Sequence, residues 1–283
     1  MERQVGRNNI DKSERDMLDK APYETREIIG SFQGGLNESV IFSLNTEASE
    51  NSVVLRFPKS EEARAITHNT IKKEYDAIGA TENGIDFRFR NISEQADLIR
   101  KAINYGLKVL DYIDTTDSAM LMQYIQGIPL HQYVQQDSKN INPEVIESVL
   151  INMMHAHWNG IVFGDRWATN TIIISDEDFV ELDFDIELIG DTETVTSFEL
   201  SQTLYHLMHF SGNNRDFMSE TILDIYLKNQ NFLNMYDLDK ISPFLRGQTE
   251  YFYDLYQKNG LLYEEIVPPY DEVYMLIDKL SQY

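Results

Sequence analysis

The residues able to do chemistry gather in one stretch: Gly164-Asp165-Arg166-Trp167-Ala168-Thr169-Asn170, then Leu182-Asp183-Phe184-Asp185. An acid and an amide stand five residues apart, and a second acid follows thirteen residues later at the end of an apolar run. Phosphoryl transfer uses this combination. One carboxylate positions or deprotonates an attacking hydroxyl, while an amide oxygen and another carboxylate hold Mg²⁺ against nucleotide phosphates. Taken alone, Asp165 reads as an ordinary turn acid; its weight comes from Asn170 and Asp183 recurring in a fixed strand context.

The elements that must position these residues are legible as patterns. Asn142-Pro143 is a helix start, with Asn able to cap free amides and Pro suited to the first turn. Ile146, Val149, Leu150, Met153 and His157 continue it as an apolar stripe, and Gly160 supplies the stop. Ile161–Phe163, Thr171–Ile174 and Phe179–Leu182 read as short strands, the last two joined by a turn at Asp176-Glu177-Asp178. Upstream, Ser39–Leu44 and Ser52–Phe57 are strand candidates separated by a turn over 45–51, and a helix is expected from Glu61 to Gly79. Met120–Ile125 reads as a buried strand stopped by Gly127 and Pro129. From Ser197 to Tyr283 the pattern is helical, with breaks expected near Gly212, Pro243, Gly260 and Pro268-Pro269. Residues 1–20 hold five cations and five acids and suit a tail or a first helix.

Composition bounds the function. The chain has 283 residues with 47 Asp and Glu against 24 Lys and Arg, a net charge of −23, so it is a poor coat for DNA or RNA and a poor match for anionic lipid. It contains no cysteine, which removes disulfides, thiolate zinc sites and Cys nucleophiles. A polar N-terminus and the lack of any long apolar run predict a cytoplasmic protein without a membrane partner.

The loop Phe163-Gly164-Asp165…Asn170 with Asp183-Phe184-Asp185 resembles the protein-kinase-like superfamily, specifically its aminoglycoside and choline phosphotransferase branch. Those families carry His-Gly-Asp-x-x-x-x-Asn and then a strand ending in Asp-Phe/Trp-x. Phe163 departs from the histidine of many relatives, and Asp185 stands where protein kinases have glycine, as is common in the small-molecule branch. The resemblance implies an α+β, bilobal protein-kinase-like fold: an N-terminal extension over 1–26, a small β-rich lobe over 27–117, a hinge over 118–128 and a larger helical lobe over 129–283. It implies Asp165 as catalytic base and Asn170 and Asp183 as Mg²⁺ ligands. Gly34 and Gly35, within Ser31–Asn37, resemble the loop over the phosphates of ATP. Arg56, with Lys59 as the alternative, resembles the phosphate-binding cation and Glu74 its partner. Gln123, Tyr124 and Ile125 resemble the hinge that receives adenine.

The expected reaction is ATP- and Mg²⁺-dependent transfer of the γ-phosphoryl group to a hydroxyl. From Trp167 to Asn214 there is no cation, and Asp176 to Glu199 contains ten acids. Such a wall, with Asp185, Glu187, Asp191 and Glu193 as candidates, would attract an amine-bearing small molecule and repel a polyanion. Trp167 either stacks on that substrate or packs under the loop. The short stretch from hinge to Asp165 is similar instead to compact atypical kinases of the RIO and tRNA-complex groups. A protein or RNA acceptor is therefore the second reading, RNA being disfavoured by charge. A silent nucleotide-binding pseudokinase is the third.

Overall fold

The computed structural model describes residues 12–21, 25–33, 36–44, 52–229, 235–236, 238–259 and 269–280. The chain is mixed α+β and divides into two compact units, one from residues 1–71 and 89–126, the other from 72–88 and 127–283.

The first unit is built on a five-stranded antiparallel sheet. Strands β1 (Thr25–Gln33), β2 (Asn37–Leu44), β3 (Ser52–Pro58), β5 (Tyr112–Thr115) and β6 (Met120–Gln123) lie in the order β1-β2-β3-β6-β5. Period-2 alternation fixes the register. Val40 pairs with Leu55, Phe42 with Val53 and Leu55 with Leu121, so these side chains share one face. That face closes against Met17 and Leu18 of helix α1 (Lys12–Leu18). Helix α3 (Ile92–Asn104) begins with a reciprocal capping box: Asn91 Oδ1 accepts the Glu94 N–H at 2.9 Å, and Glu94 Oε2 accepts the Asn91 N–H at 2.8 Å. Helix α2 (Glu61–Ala77) runs from the first unit into the second.

The second unit is mainly helical. Its core is formed by α5 (Pro143–Trp158), α6 (Thr192–Phe210), α7 (Arg215–Lys228), α8 (Leu238–Asn259) and α9 (Tyr270–Leu280), together with the short α4 (Leu130–Tyr133). Helix α6 is buried on all sides from Thr194 to Phe210, which makes it the axis of the unit. Strands β7 (Ile128–Pro129), β8 (Thr171–Ser175) and β9 (Asp178–Glu181) form a small antiparallel sheet. Strand β10 (Ile186–Ile189) pairs with β4 (Asp86–Phe89).

Several expectations need correction. Ile161–Phe163 forms no strand; the Phe163 N–H goes to the Glu199 side chain of α6. Strand β6 ends at Gln123, so Tyr124 and Ile125 lie beyond it. Ser31–Gln33 continue β1 opposite β2, where a loop was expected; Gly34, Gly35, the 45–51 turn and the break at Gly260 to Pro268 lie outside the described residues. Pro243 does not end a helix. It is the sixth residue of α8, where its missing N–H costs one bond near the helix start. Helix α6 starts at Thr192, capped by the Asp191 carboxylate accepting the Thr194 N–H at 3.0 Å.

Candidate active site

The segment between α5 and β8 leaves its helix at Asn159, turns through Gly160 at φ 62° and enters the loop holding Asp165. Gly164 has no substitute there. Its φ is 116°, and a Cβ would lie 2.1 Å from the Ile186 carbonyl oxygen, so only glycine lets the loop pass this close to β10.

Helix α6 holds the loop residue by residue. Glu199 Oε1 accepts the Gly164 N–H at 3.0 Å, and its Oε2 accepts the Phe163 N–H at 3.3 Å. One turn on, Gln202 Nε2 donates to Asp165 Oδ1 at 3.0 Å. A further turn on, His206 Nδ1 lies 3.0 Å from the Arg166 carbonyl oxygen. These residues recur at i, i+3 and i+7 on one face. Glu199 is itself held from behind: His157 Nε2 lies 2.6 Å from Oε2, and the Tyr236 hydroxyl lies 2.5 Å from His157 Nδ1. His157 thus braces the loop through Glu199.

Arg166 ties the loop to the following hairpin. It forms a buried ion pair with Glu181 at 2.6 Å and donates to the carbonyls of Asn170 and Leu182, each at 3.3 Å. Thr171 Oγ1 adds a bond to the same Glu181 oxygen at 2.8 Å. Phe163 packs against Phe184 and under the Arg166 guanidinium, so an aromatic braces the loop by contact.

The candidate metal ligands are oriented by the backbone. Asn170 Nδ2 donates to the Asp165 carbonyl at 3.0 Å, which turns the amide oxygen outward from that bond. Asp183 has φ 61°, the one positive value outside glycine among the described residues. Asp tolerates this conformation better than most L-residues, and such strain concentrates at working sites. The electrostatics are those of crowded carboxylates. Burial pushes Asp165 up to about 7, aided by the charges of Asp183 and Glu199 and opposed by the Gln202 bond and Arg166. Burial, then the charge of Asp165, pushes Glu74 up to about 8. A divalent cation would relieve this repulsion, so Asn170 and Asp183 suit Mg²⁺ by chemistry. Among the described residues no group of three or more His, Asp or Glu is placed to hold a metal ion.

No protein-family model matches this chain, and no curated protein matches it.

The remaining sequence candidates fall into two groups. Asp165, Asn170, Asp183, Glu74, Trp167, Asp185 and Glu187 belong to the second unit. Arg56, Gln123, Tyr124 and Ile125 belong to the first. Arg56 lies within β3 between Ser39 and Met120, whereas Lys59 follows the strand's end. Gln123 and Tyr124 are exposed, and the Tyr124 N–H donates to the Ser52 carbonyl at 3.0 Å.

The acids expected to form a wall have separate settings. Asp185 is buried, Glu187 pairs with Arg88 across β10 and β4, Asp191 caps α6, and Glu193 meets Lys240 at 2.9 Å. Asp185 is thus withdrawn from solvent, whereas the side chains of Glu187, Asp191 and Glu193 remain 35%, 63% and 52% exposed. Trp167 packs on His206, with ring centroids 4.4 Å apart, and edge-on to Phe252, so its place is under the loop.

The sequence placed Glu199, Gln202 and His206 in a helical region starting at Ser197 but did not show what they do. Nothing local sets them apart, because α6 also carries Thr194, Thr196, Ser197, Ser201, Thr203 and His209.

Proposed function

We propose that this protein is an ATP- and Mg²⁺-dependent phosphotransferase of bilobal protein-kinase-like fold, acting on a hydroxyl of a small, amine-bearing molecule. The observation that carries the reading is the Asp165–Asn170–Asp183 constellation, with the Asp165 loop held by Glu199 and Gln202 and the backbone at Asn170 and Leu182 held by Arg166.

In the proposed reaction the acceptor hydroxyl oxygen forms a bond to the γ-phosphorus while the bond to the β,γ-bridging oxygen breaks. The electron pair leaves with ADP, and the hydroxyl proton passes to the Asp165 carboxylate. Asp165's raised proton affinity suits a group that must accept a proton near neutrality. Asn170 through its amide oxygen and Asp183 through its carboxylate would hold Mg²⁺, which when bound offsets charge on the phosphates. Arg56 would hold phosphate oxygens, and the backbone near Gln123, Tyr124 and Ile125 would receive adenine. The net charge of −23 favours a cationic acceptor over a polyanion through its long-range field, even with the local acids paired.

The test is γ-phosphate transfer from labelled ATP with Mg²⁺ into amino-alcohols and amino-sugars, total tRNA, and a protein mixture. Asp165→Asn serves as control in each. Label in the first pool that vanishes in the variant is the expected result. Label in tRNA or protein would replace the acceptor class, and transfer unaffected by the variant would overturn the catalytic assignment.

A further inference from the structure

Gln202 is 2% exposed and meets two groups of the Asp165 loop. Its Nε2 reaches Asp165 Oδ1, while its Oε1 is 3.5 Å from the Arg166 N–H. It also adjoins the Tyr75 hydroxyl, which is buried and makes no well-formed hydrogen bond among the described residues. The Tyr75 ring cannot drift. It meets Phe87 and Phe198 edge-on, each with centroids 5.1 Å apart.

We propose that Gln202 is a positioning residue for phosphoryl transfer: it fixes Oδ1 of Asp165 so that Oδ2 faces the acceptor hydroxyl, with Tyr75 backing Gln202. This rests on the kinase reading above. The terminal torsion of an aspartate is broad and nearly two-fold, so an unpinned carboxylate presents either oxygen in changing directions. A single directed bond removes that freedom. The donor is neutral, and this matters. Lysine or arginine at the same place would pin the carboxylate but hold it in the ionised form, weakening it as a base, whereas an amide pins it with a smaller effect on proton affinity. Glutamine also carries an acceptor, so it grips the loop through the Arg166 N–H with the same side chain. Because Tyr75 directly follows Glu74 on α2, the helix turn carrying Glu74 also supports the orientation of the base. A shift of that turn would loosen Asp165 without touching it.

The full chain labelled with ¹⁵N-glutamine tests the contact independently of activity. The Gln202 side-chain amide resonances are identified by their loss in Gln202→Met, a near-isostere without hydrogen-bonding groups. They are expected to move in Asp165→Asn and, by less, in Tyr75→Phe; resonances unmoved in Asp165→Asn overturn the proposal. Kinetics then test the role, with the acceptor identified above or with water as acceptor in Mg-ATP hydrolysis. Gln202→Met is expected to lower kcat by roughly 10–100-fold, the scale of a misplaced catalytic group, with KM for ATP within about twofold and thermal stability kept. Tyr75→Phe removes a single oxygen and is expected to lower kcat by less. Wild-type kcat in Gln202→Met beside an inactive Asp165→Asn overturns this proposal alone, as does a change confined to KM. Wild-type kcat in Asp165→Asn overturns the kinase reading and the proposal with it.

Discussion

Glu199 and Gly164, distant in sequence, meet through a 3.0 Å bond in which a wholly buried carboxylate accepts a backbone N–H. The same carboxylate takes the Phe163 N–H, so one side chain satisfies two donors that a strand ladder would otherwise pair. Glu199→Leu leaves both donors buried and unpaired, at about 1–3 kcal/mol each. It is expected to destabilise the protein by several kcal/mol in chemical denaturation. Glu199→Gln keeps the shape but replaces one acceptor with a donor, so it should fall between the two. Equal stability of all three proteins would show that the loop does not depend on α6.

Asp165 and Glu74 make stability depend on pH with a definite sign. In the folded chain they hold protons up to about 7 and about 8, respectively. Unfolded carboxylates release theirs near pH 4. Between these limits these two groups bind more protons in the folded state, so their contribution to stability falls as pH rises from roughly 4 to 8. Below about pH 6.5 the buried His206 and His209, held down to about 4 and about 3, oppose them by charging only in the unfolded chain, so thermal melts in EDTA should show Tm declining between about pH 6.5 and 8. Asp165→Asn and Glu74→Gln should each flatten the decline and raise Tm at pH 8.5 relative to wild type, by a few degrees per kcal/mol relieved. A Tm independent of pH in the wild type would contradict the crowding of these acids.

Arg166 and Glu181 are both almost wholly buried, with side chains 4% and 3% exposed. Removing one partner strands the other charge in the core. Arg166→Met is expected to cost roughly 3–5 kcal/mol, and the carbonyls of Asn170 and Leu182 lose a donor as well. Pairing it with Glu181→Leu should recover part of the loss, since two apolar groups leave no orphaned charge. A double-mutant cycle in urea measures the recovery; strict additivity would mean that the pair is not coupled.

Asn170 and Asp183 should carry the dependence of nucleotide binding on Mg²⁺. Titrating a non-hydrolysable ATP analogue by calorimetry, with and without Mg²⁺, separates metal from nucleotide. Asp183→Asn, which tolerates the positive φ, is expected to weaken Mg²⁺-dependent binding by at least about tenfold with little change without metal. Asn170→Ala should act in the same direction. Unchanged Mg²⁺ dependence in both would remove them as ligands.

The sequence by itself determined the elements whose patterns are local. The alternation through Val53, Leu55 and Phe57 specified β3, because a pleated strand sorts its side chains by parity. Asn142-Pro143 and the stripe to His157 specified α5, because caps and 3.6-residue periodicity act within a few turns. The Asn91–Glu94 box was equally local and equally readable, though the α3 it starts was not expected. The spacing of Asp165, Asn170 and Asp183 was visible because hairpin-bound residues keep their separation whatever surrounds them. What only the tertiary structure decided were the partners. Ile161–Phe163 has the composition of a strand, yet its amide bonds to Glu199 from a helix more than thirty residues away. Asp185, Glu187, Asp191 and Glu193 look in sequence like one solvated wall, but burial, Arg88, a helix cap and Lys240 take them separately. Gln202 carries no local sign of its contact with Asp165. A hydrogen bond is a relation between two places, and chain separation says nothing of distance until the helices have packed.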